Sequence, residues 1–428
     1  MKIAFYTLGC KVNQYETQVM REEFAKRGHT PCENSDFFDA AVINSCTVTA
    51  ESDRKTRQLL RRIRRKNPNA AIVLTGCMAQ SFPKESADLE DADVLVGNTD
   101  VLKVVDLTEQ FLKNGERIIH IEPHKKKENF NTPSVSTFAE RTRAYMKIQD
   151  GCDRYCSYCI IPTARGPIRS KSIEEIENQA KALGENGFCE VVLVGINLTS
   201  FGRDTGHNLC DAVEAVAKAQ GIKRIRLGSL EPDHISDAML DRLACEEKFC
   251  PQFHLSLQSG CDRTLKRMNR HYDTAFYTDL VQRIRQKFTD ASITTDVMVG
   301  FAGESEEEFA KSVEYVKATG FAKAHVFAYS RRKGTIAYGL PDQISNSVKA
   351  LRSKIMITAA LEAEAEFLNS QIGKVFPVLF ETSADGINKG YTPNYTLVEV
   401  AACEDLSGKI LKVKIIKAQK DYCIGKII

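Results

Sequence analysis

Cysteines are the residues best placed to do chemistry in this sequence. The stretch CDRYCSYC sets Cys152, Cys156 and Cys159 in a CxxxCxxC spacing, directly after an apolar strand-like run. A structural zinc site wants a fourth thiolate or imidazole close by, and none follows: the next cysteine, Cys189, stands in or beside another strand. An iron–sulfur cluster accommodates the shortage. Three thiolates hold three irons, and the fourth iron keeps a position for a non-protein ligand.

A second trio is scattered in sequence. Cys10 in TLGCKVN, Cys46 in INSCTVT and Cys77 in LTGCMAQ each close an apolar strand-like run. In a parallel sheet all carboxyl ends lie along one edge, so the three become neighbours in space. The small residues before them, Gly9, Ser45 and Gly76, leave room for the backbone to turn around a ligand. One buried cysteine is ordinary; three at equivalent strand ends point to a shared ligand. The remaining cysteines read as core or incidental, and His254 and His325 as structural. No paired carboxylates and no Ser/His/Asp spelling compete.

The elements that must hold these residues alternate strand with helix, which defines an α/β fold. KIAFYTL, DAAVINS and AAIVLTG, with helical connections, predict a βαβ parallel-sheet domain over residues 1–115. No GxGxxG follows the first strand, so a dinucleotide-binding fold would lack its phosphate loop. A polar linker is expected over 116–139. From 140 to 368 come six strands: AYMKIQ, EVVLVGI, RIRLGSL, FHLSLQS, SITTDVMVGF and AHVFAYS. Eight would close a barrel, so six predict an open (β/α)6 three-quarter barrel. Capping-box spellings start two of its helices, at Ser172/Glu175 and Ser305/Glu308. Residues 369–428 carry KVFPVLFE, YTLVEVAA and KILKVKIIKAQ, a small β-barrel module. At the strand ends of the central barrel, Gly195, Asn197, Glu231 and Gln258 are the candidates for holding a cofactor.

The 428 residues are 43% apolar and 27% charged, with a net charge of only +3, so local clustering matters more than total charge. No apolar run spans a bilayer and no secretory leader is evident, which places the chain in the cytoplasm, away from membranes. Fourteen cysteines there argue for metal rather than disulfides. Eight of the thirteen residues from 54 to 66 are cations: Arg54, Lys55, Arg57, Arg61, Arg62, Arg64, Arg65 and Lys66. With Leu59, Leu60 and Ile63 as an apolar stripe, this is an amphipathic basic helix suited to nucleic-acid phosphate. In the C-terminal module, Tyr391 and Tyr395 can stack on bases while Lys389, Lys412, Lys414 and Lys417 meet phosphate.

On CDRYCSYC the chain resembles the radical S-adenosylmethionine superfamily. LGCKVN, NSCTVT, TGCMAQ, GCDRYCSYCIIPTARGPIRS, LGSLEPDHI, LQSGCDRTLKRM and DVMVGFAGESEEEF extend the resemblance to the methylthiotransferase family along the whole chain. LGCKVNQYE is similar to the branch that modifies N6-threonylcarbamoyladenosine beside the tRNA anticodon. The resemblance implies replacement of an adenine C2 hydrogen by a methylthio group. S-adenosylmethionine would serve as radical source and methyl donor, and would chelate the open iron of a 4Fe–4S cluster on Cys152, Cys156 and Cys159. A second 4Fe–4S cluster on Cys10, Cys46 and Cys77 would bind or supply the sulfur. It further implies a TRAM-like RNA-binding terminal barrel, the tRNA anticodon stem-loop as partner rather than DNA, and an electron-donor protein. Two positions depart from the family pattern: Ser256 and Ala302 stand where proline is expected. Other substrates of the same chemistry (isopentenyladenosine tRNA, a ribosomal protein aspartate) and a non-catalytic zinc-stabilised RNA-binding protein are the alternatives.

Overall fold

Alternating apolar runs and amphipathic helices assemble three bodies. The structure, a computed structural model, describes residues 1–32, 37–138 and 142–428. In the first body six parallel strands form one sheet: β1 (Lys2–Thr7), β2 (Thr30–Cys32), β3 (Ala40–Ser45), β4 (Ala71–Gly76), β5 (Val94–Val96) and β6 (Ile118–His120), in the order β2-β1-β3-β4-β5-β6. β3 and β4 are buried along their whole length, which is why they read as unbroken apolar runs. Strand order reverses between β1 and β3, so the crevice at their carboxyl ends is a topological switch point, where ligands bind in such sheets.

β2, β5 and β6 are absent from the sequence reading because three residues carry no periodicity. β6 falls inside the segment read as linker, and parts of residues 121–138 pack against the bodies on either side. Val135 and Phe138 are buried. The Tyr15 hydroxyl donates to the Pro133 carbonyl at 2.9 Å, and the Gln179 amide to the Val135 carbonyl at 2.8 Å. The expected boundary at residue 140 lies outside the described residues.

The central body carries parallel strands β7 (Arg143–Lys147), β10 (Glu190–Val194), β11 (Arg224–Leu227), β12 (Ser229–Leu230), β13 (Gln252–Leu255), β14 (Ser292–Val299) and β15 (Lys323–Ala328), with a short antiparallel pair, β8 (Gln149–Asp150) and β9 (Arg169–Ser170). β11 and β12 are one run interrupted at Gly228, so six strand positions curve from β7 to β15, as expected for an open barrel. Ser172/Glu175 and Ser305/Glu308 form the two capping boxes.

After a helix at Asn346–Ser370, a closed five-stranded barrel ends the chain: β16 (Val375–Ala384), β17 (Ile387–Tyr391), β18 (Leu397–Ala401), β19 (Ile410–Ala418) and β20 (Cys423–Ile427), in the order β16-β17-β18-β20-β19. Two of these strands escape the sequence reading. The inward positions of β17 are Asn388 and Gly390, and those of β20 are Cys423 and Gly425, so neither shows apolar alternation. Asn388 is fully buried and donates to the carbonyls of Ala402 and Glu404, so a polar residue serves the barrel interior.

Candidate active site

β1, β3 and β4 deliver Cys10, Cys46 and Cys77 to the switch-point edge. Gly9 lets the first loop close on the second: a Cβ there would stand 2.6 Å from the Asn13 amide oxygen and 3.1 Å from Cys46 Cβ. Gly76, at φ +94°, passes 2.5 Å from Asn44 Oδ1 by the same measure. Asn13 ties the loops together: its amide donates to Asn44 Oδ1 at 2.9 Å, and its oxygen accepts from Cys10 Sγ at 3.3 Å.

Cys77 is buried and accepts from Arg165 Nε at 3.2 Å. Arg165 is fully buried, at the end of the short helix Ile161–Arg165 that follows Cys159. Its guanidinium forks onto Glu16, with one contact at 3.0 Å. Glu16 also accepts from Lys147 at 2.7 Å, and Lys147 reaches Asp150 at 2.6 Å. This buried ion cluster joins the first sheet to the start of the barrel. Burial opposes charge on Glu16, but Arg165 and Lys147 outweigh it and hold the carboxyl below its ordinary range.

The other trio lies on the loop after β8. The Cys152 N–H donates to the Gly166 carbonyl and the Cys159 N–H to the Cys156 carbonyl. Tyr155, between them, has φ +48° and an exposed ring. Arg270 Nη1 donates to Cys156 Sγ at 3.2 Å, and the same guanidinium contacts Glu231, the Ser256 carbonyl and the Tyr272 hydroxyl. Asn197 Nδ2 lies 3.9 Å from Cys152 Sγ.

Of the strand-end candidates, Asn197 and Glu231 thus come to the second trio. Gly195 lines a neighbouring cavity, where a side chain would collide with Gln149 at 2.8 Å. Gln258 takes φ +67°, uncommon for a residue with a side chain, held by backbone bonds to Asp296 and Met298. Of the two departures from the family pattern, Ser256 offers its carbonyl to Arg270 and Tyr272, and Ala302 is buried.

The thiols suit cluster ligation. Burial pushes Cys77 and Cys159 up to about 12 and Cys152 up to about 11, and within each trio the sulfurs raise one another further. Cys46 is raised as well, by burial and then by Cys10, against backbone donors. As thiolates they need strong positive charge beside them, which bound iron would provide. No group of three His, Cys, Asp or Glu among the described residues converges on a single ion. A set of three thiolates suits a cluster that leaves one iron open to a ligand from outside the chain.

A cavity of about 800 Å³ runs from Cys10 and Lys11 into the barrel, past Gly195, His254 and His325, to Tyr395. That is ample for a nucleoside. His254 Nε2 lies 3.4 Å from Asp296 Oδ2.

The basic helix forms as Ala50–Lys66, with Leu59, Leu60 and Ile63 buried. Arg54, Lys55, Arg61, Arg62, Arg65 and Lys66 are exposed; Arg57 and Arg64 are half-buried. Arg61, Arg62 and Arg65 border an open groove with Tyr6 and Leu8. Arg64 serves the fold instead, binding Asp93 at 2.6 Å and the carbonyls of Pro68 and Ala70. Arg54 forks onto Glu51. In the terminal barrel, Tyr391 and Tyr395 stack with centroids 4.5 Å apart, and Arg143 and Arg226 of the central body lie over them. The structure places this pair at the junction of the two bodies. Lys11, Arg165 and Arg270 escape the sequence reading: each is a single polar residue with no spacing to mark it.

A strand-end loop of three cysteines in an open parallel barrel defines a radical S-adenosylmethionine protein, and residues 146–316 match the family model described as the radical SAM superfamily. Residues 2–97 match a second model, described as the uncharacterized protein family UPF0004. The chain is 36% identical along its whole length to the threonylcarbamoyladenosine tRNA methylthiotransferase of Bacillus subtilis (strain 168), covering 96% of it. To the protein of the same name in Aquifex aeolicus (strain VF5) it is 37% identical, over 97% of this chain and 100% of the other. A tRNA-2-methylthio-N(6)-dimethylallyladenosine synthase from Clostridium botulinum (strain Alaska E43 / Type E3) is 31% identical, over 99% and 94%. The chain belongs to the methylthiotransferase family of radical S-adenosylmethionine enzymes, in the threonylcarbamoyladenosine tRNA branch. Among solved structures, the radical S-adenosylmethionine methyltransferase TsrM from Kitasatospora setae superposes with a TM-score of 0.57 at 12% identity, over 90% of this chain and 79% of that one, a likeness of fold alone. No helix among the described residues is long and apolar enough to cross a membrane.

Proposed function

We propose that this protein replaces the C2 hydrogen of N6-threonylcarbamoyladenosine, beside the anticodon of tRNA, with a methylthio group. The observation that carries the reading is the pair of cysteine trios, one at three neighbouring strand ends and one on the loop after β8, each with one thiol receiving an arginine N–H at 3.2 Å. Cys152, Cys156 and Cys159 would hold one 4Fe–4S cluster and Cys10, Cys46 and Cys77 a second. With S-adenosylmethionine these groups supply the one-electron chemistry, the sulfur and the methyl group that an unactivated C–H bond demands.

The chain's own residues supply placement and charge. Arg270 and Arg165 each donate an N–H to a sulfur, that of Cys156 and that of Cys77, and so hold it in place. Glu231, paired with Arg270, and Asn197, beside Cys152, are placed to receive the amino and carboxylate ends of S-adenosylmethionine; Gly195 and Gln258 shape the strand ends around it. The exposed cations Arg54, Lys55, Arg61, Arg62, Arg65 and Lys66 face tRNA phosphate, with Arg57 behind them; Arg64 holds the helix in place. The terminal barrel adds RNA contact, and Tyr391 and Tyr395 fix its docking. An electron-donor protein completes the cycle. The first domain extends through β6, the partial barrel follows from β7, and the terminal barrel begins after the helix Asn346–Ser370.

Mass spectrometry of tRNA nucleosides from cells with and without the gene tests this reading. Loss of methylthio-threonylcarbamoyladenosine, with its unthiolated precursor accumulating, is expected. An unchanged nucleoside profile refutes it.

A further inference from the structure

We propose that Lys11 is the counter-ion for the carboxylate of the substrate's threonyl group, and so the residue by which this site separates a threonylcarbamoyl adenine from adenines with uncharged N6 substituents. The inference rests on the substrate reading above.

Lys11 follows Cys10 and lines the 800 Å³ cavity. Lys323 and His254, also in the wall, each have a carboxylate partner. His254 faces Asp296 at 3.4 Å, and Lys323 meets Glu364 at 3.2 Å. Lys11 and Asp421 are both exposed. Lys11 makes no hydrogen bond or ion pair among the described residues. The carboxylate nearest to it in effect is Glu190, which already serves Arg226 at 3.0 Å, Arg224 at 3.6 Å and Arg143 at 3.9 Å. This leaves Lys11 as an excess cation at the Cys10 end of the cavity, without a carboxylate of its own.

The substrate's chemistry fits that excess. A threonine joined to the base through its amino group keeps a free carboxylate. On the adenine ring, the carbon bearing N6 and the reacting C2 both flank N1, so the substituent and the reacting carbon share one edge of the base. When C2 faces the trio that includes Cys10, a cation on the next residue meets the substituent. An uncharged alkyl substituent would desolvate the Lys11 ammonium and offer it nothing, which is discrimination by an unpaired charge.

The test measures equilibrium binding of anticodon stem-loop RNAs to the iron-loaded enzyme at one fixed salt concentration. Four RNAs differ at the target base: threonylcarbamoyladenosine, the same with its carboxylate converted to the primary amide, isopentenyladenosine, and plain adenosine. Wild type should bind the acid at least about tenfold more tightly than the amide, a tenfold ratio being about 1.4 kcal/mol. Lys11→Met, with wild-type iron content, should erase that ratio, and Lys11→Arg should retain most of it. Equal binding of acid and amide by wild type overturns the inference, as does a Lys11→Met enzyme that keeps the preference; Lys11 would then only offset cluster charge. If Lys11→Met fails to hold iron, the wild-type comparison of acid and amide decides alone. A wild-type enzyme that prefers the isopentenyl RNA to the acid overturns the substrate reading itself, a separate outcome.

Discussion

Arg165 and Arg270 each give one N–H to a cysteine sulfur and another to a carboxylate, Glu16 and Glu231 respectively, so ligand placement and fold stability share the same side chains. Partners of this kind orient a metal's ligands and tune it. The trios themselves divide the labour. Cys77→Ala should end methylthiolation while reductive cleavage of S-adenosylmethionine continues, whereas Cys156→Ala should end both; product analysis by mass spectrometry reads the two outcomes. Around Arg165 the expected cost is structural. Glu16→Gln leaves Arg165 and Lys147 facing a neutral amide in a closed site, and removing one partner of a buried ion cluster costs roughly 3–5 kcal/mol. Denaturant unfolding of the iron-free protein should show that loss. A fall below about 1 kcal/mol would mean that Asp150 compensates. The cysteines are legible in the sequence because their spacing and their place at strand ends are written there. The arginines are not: in TARGP and RMNRH they look like surface charge, and only the fold turns them inward.

At the level of elements, the helix Ala50–Lys66 shows how far composition alone can be trusted. Its apolar stripe and its run of cations are both legible, and both form. What composition does not reveal is that the cations are unequal. Arg64 lies across the turn after the helix, bonded to Asp93 and to three backbone carbonyls, while Arg61, Arg62 and Arg65 edge an open groove. Replacing Arg61, Arg62 and Arg65 by alanine should weaken tRNA binding and flatten its salt dependence, by roughly 0.7–0.9 in the log–log slope for each phosphate no longer neutralised, with little change in melting temperature. Arg64→Ala should do the reverse, lowering stability with a near-normal salt slope. Binding isotherms at several salt concentrations, beside thermal melts, separate the two classes. The same limit explains β17 and β20. A strand that presents Asn388 and Gly390, or Cys423 and Gly425, to a barrel interior has no alternation to find, because the neighbouring chain is too close for larger side chains. At Gly390 a Cβ would stand 2.3 Å from the Leu379 carbonyl oxygen.

For the molecule as a whole, the three bodies are not joined alike. One continuous apolar core runs from the first sheet through Val135 and Phe138 into the central barrel, so those two bodies are built as one. The terminal barrel keeps a separate core around Phe376, Val398 and Val413. It meets the strands of the central body through polar groups. Arg143 pairs with Glu381, Arg224 donates to the Tyr391 carbonyl at 3.0 Å, and Arg226 donates to the Pro393 carbonyl at 2.8 Å beneath the Tyr395 ring. All three arginines converge on Glu190, which has no exposed surface. Burial opposes its charge, but Arg226, Arg143 and Arg224 prevail and hold its carboxyl below the ordinary glutamate range. A depressed carboxyl stabilises the folded form above the unfolded pKa and loses that contribution as pH falls through the folded value, so this junction should hold at neutral pH and loosen only below the usual carboxylate range. Glu190→Gln brings that loosening to neutral pH, because three guanidiniums then crowd a neutral amide. With its own closed core, the terminal barrel should survive the change as a folded unit and come free as one. Calorimetry of the variant should therefore resolve two transitions where the wild type gives a more cooperative one, and hydrogen exchange should quicken first at residues 391–396. A single shifted transition, with exchange in that loop unchanged, would show that the packing of Phe367 and Leu368 against the terminal core holds the junction without the charges.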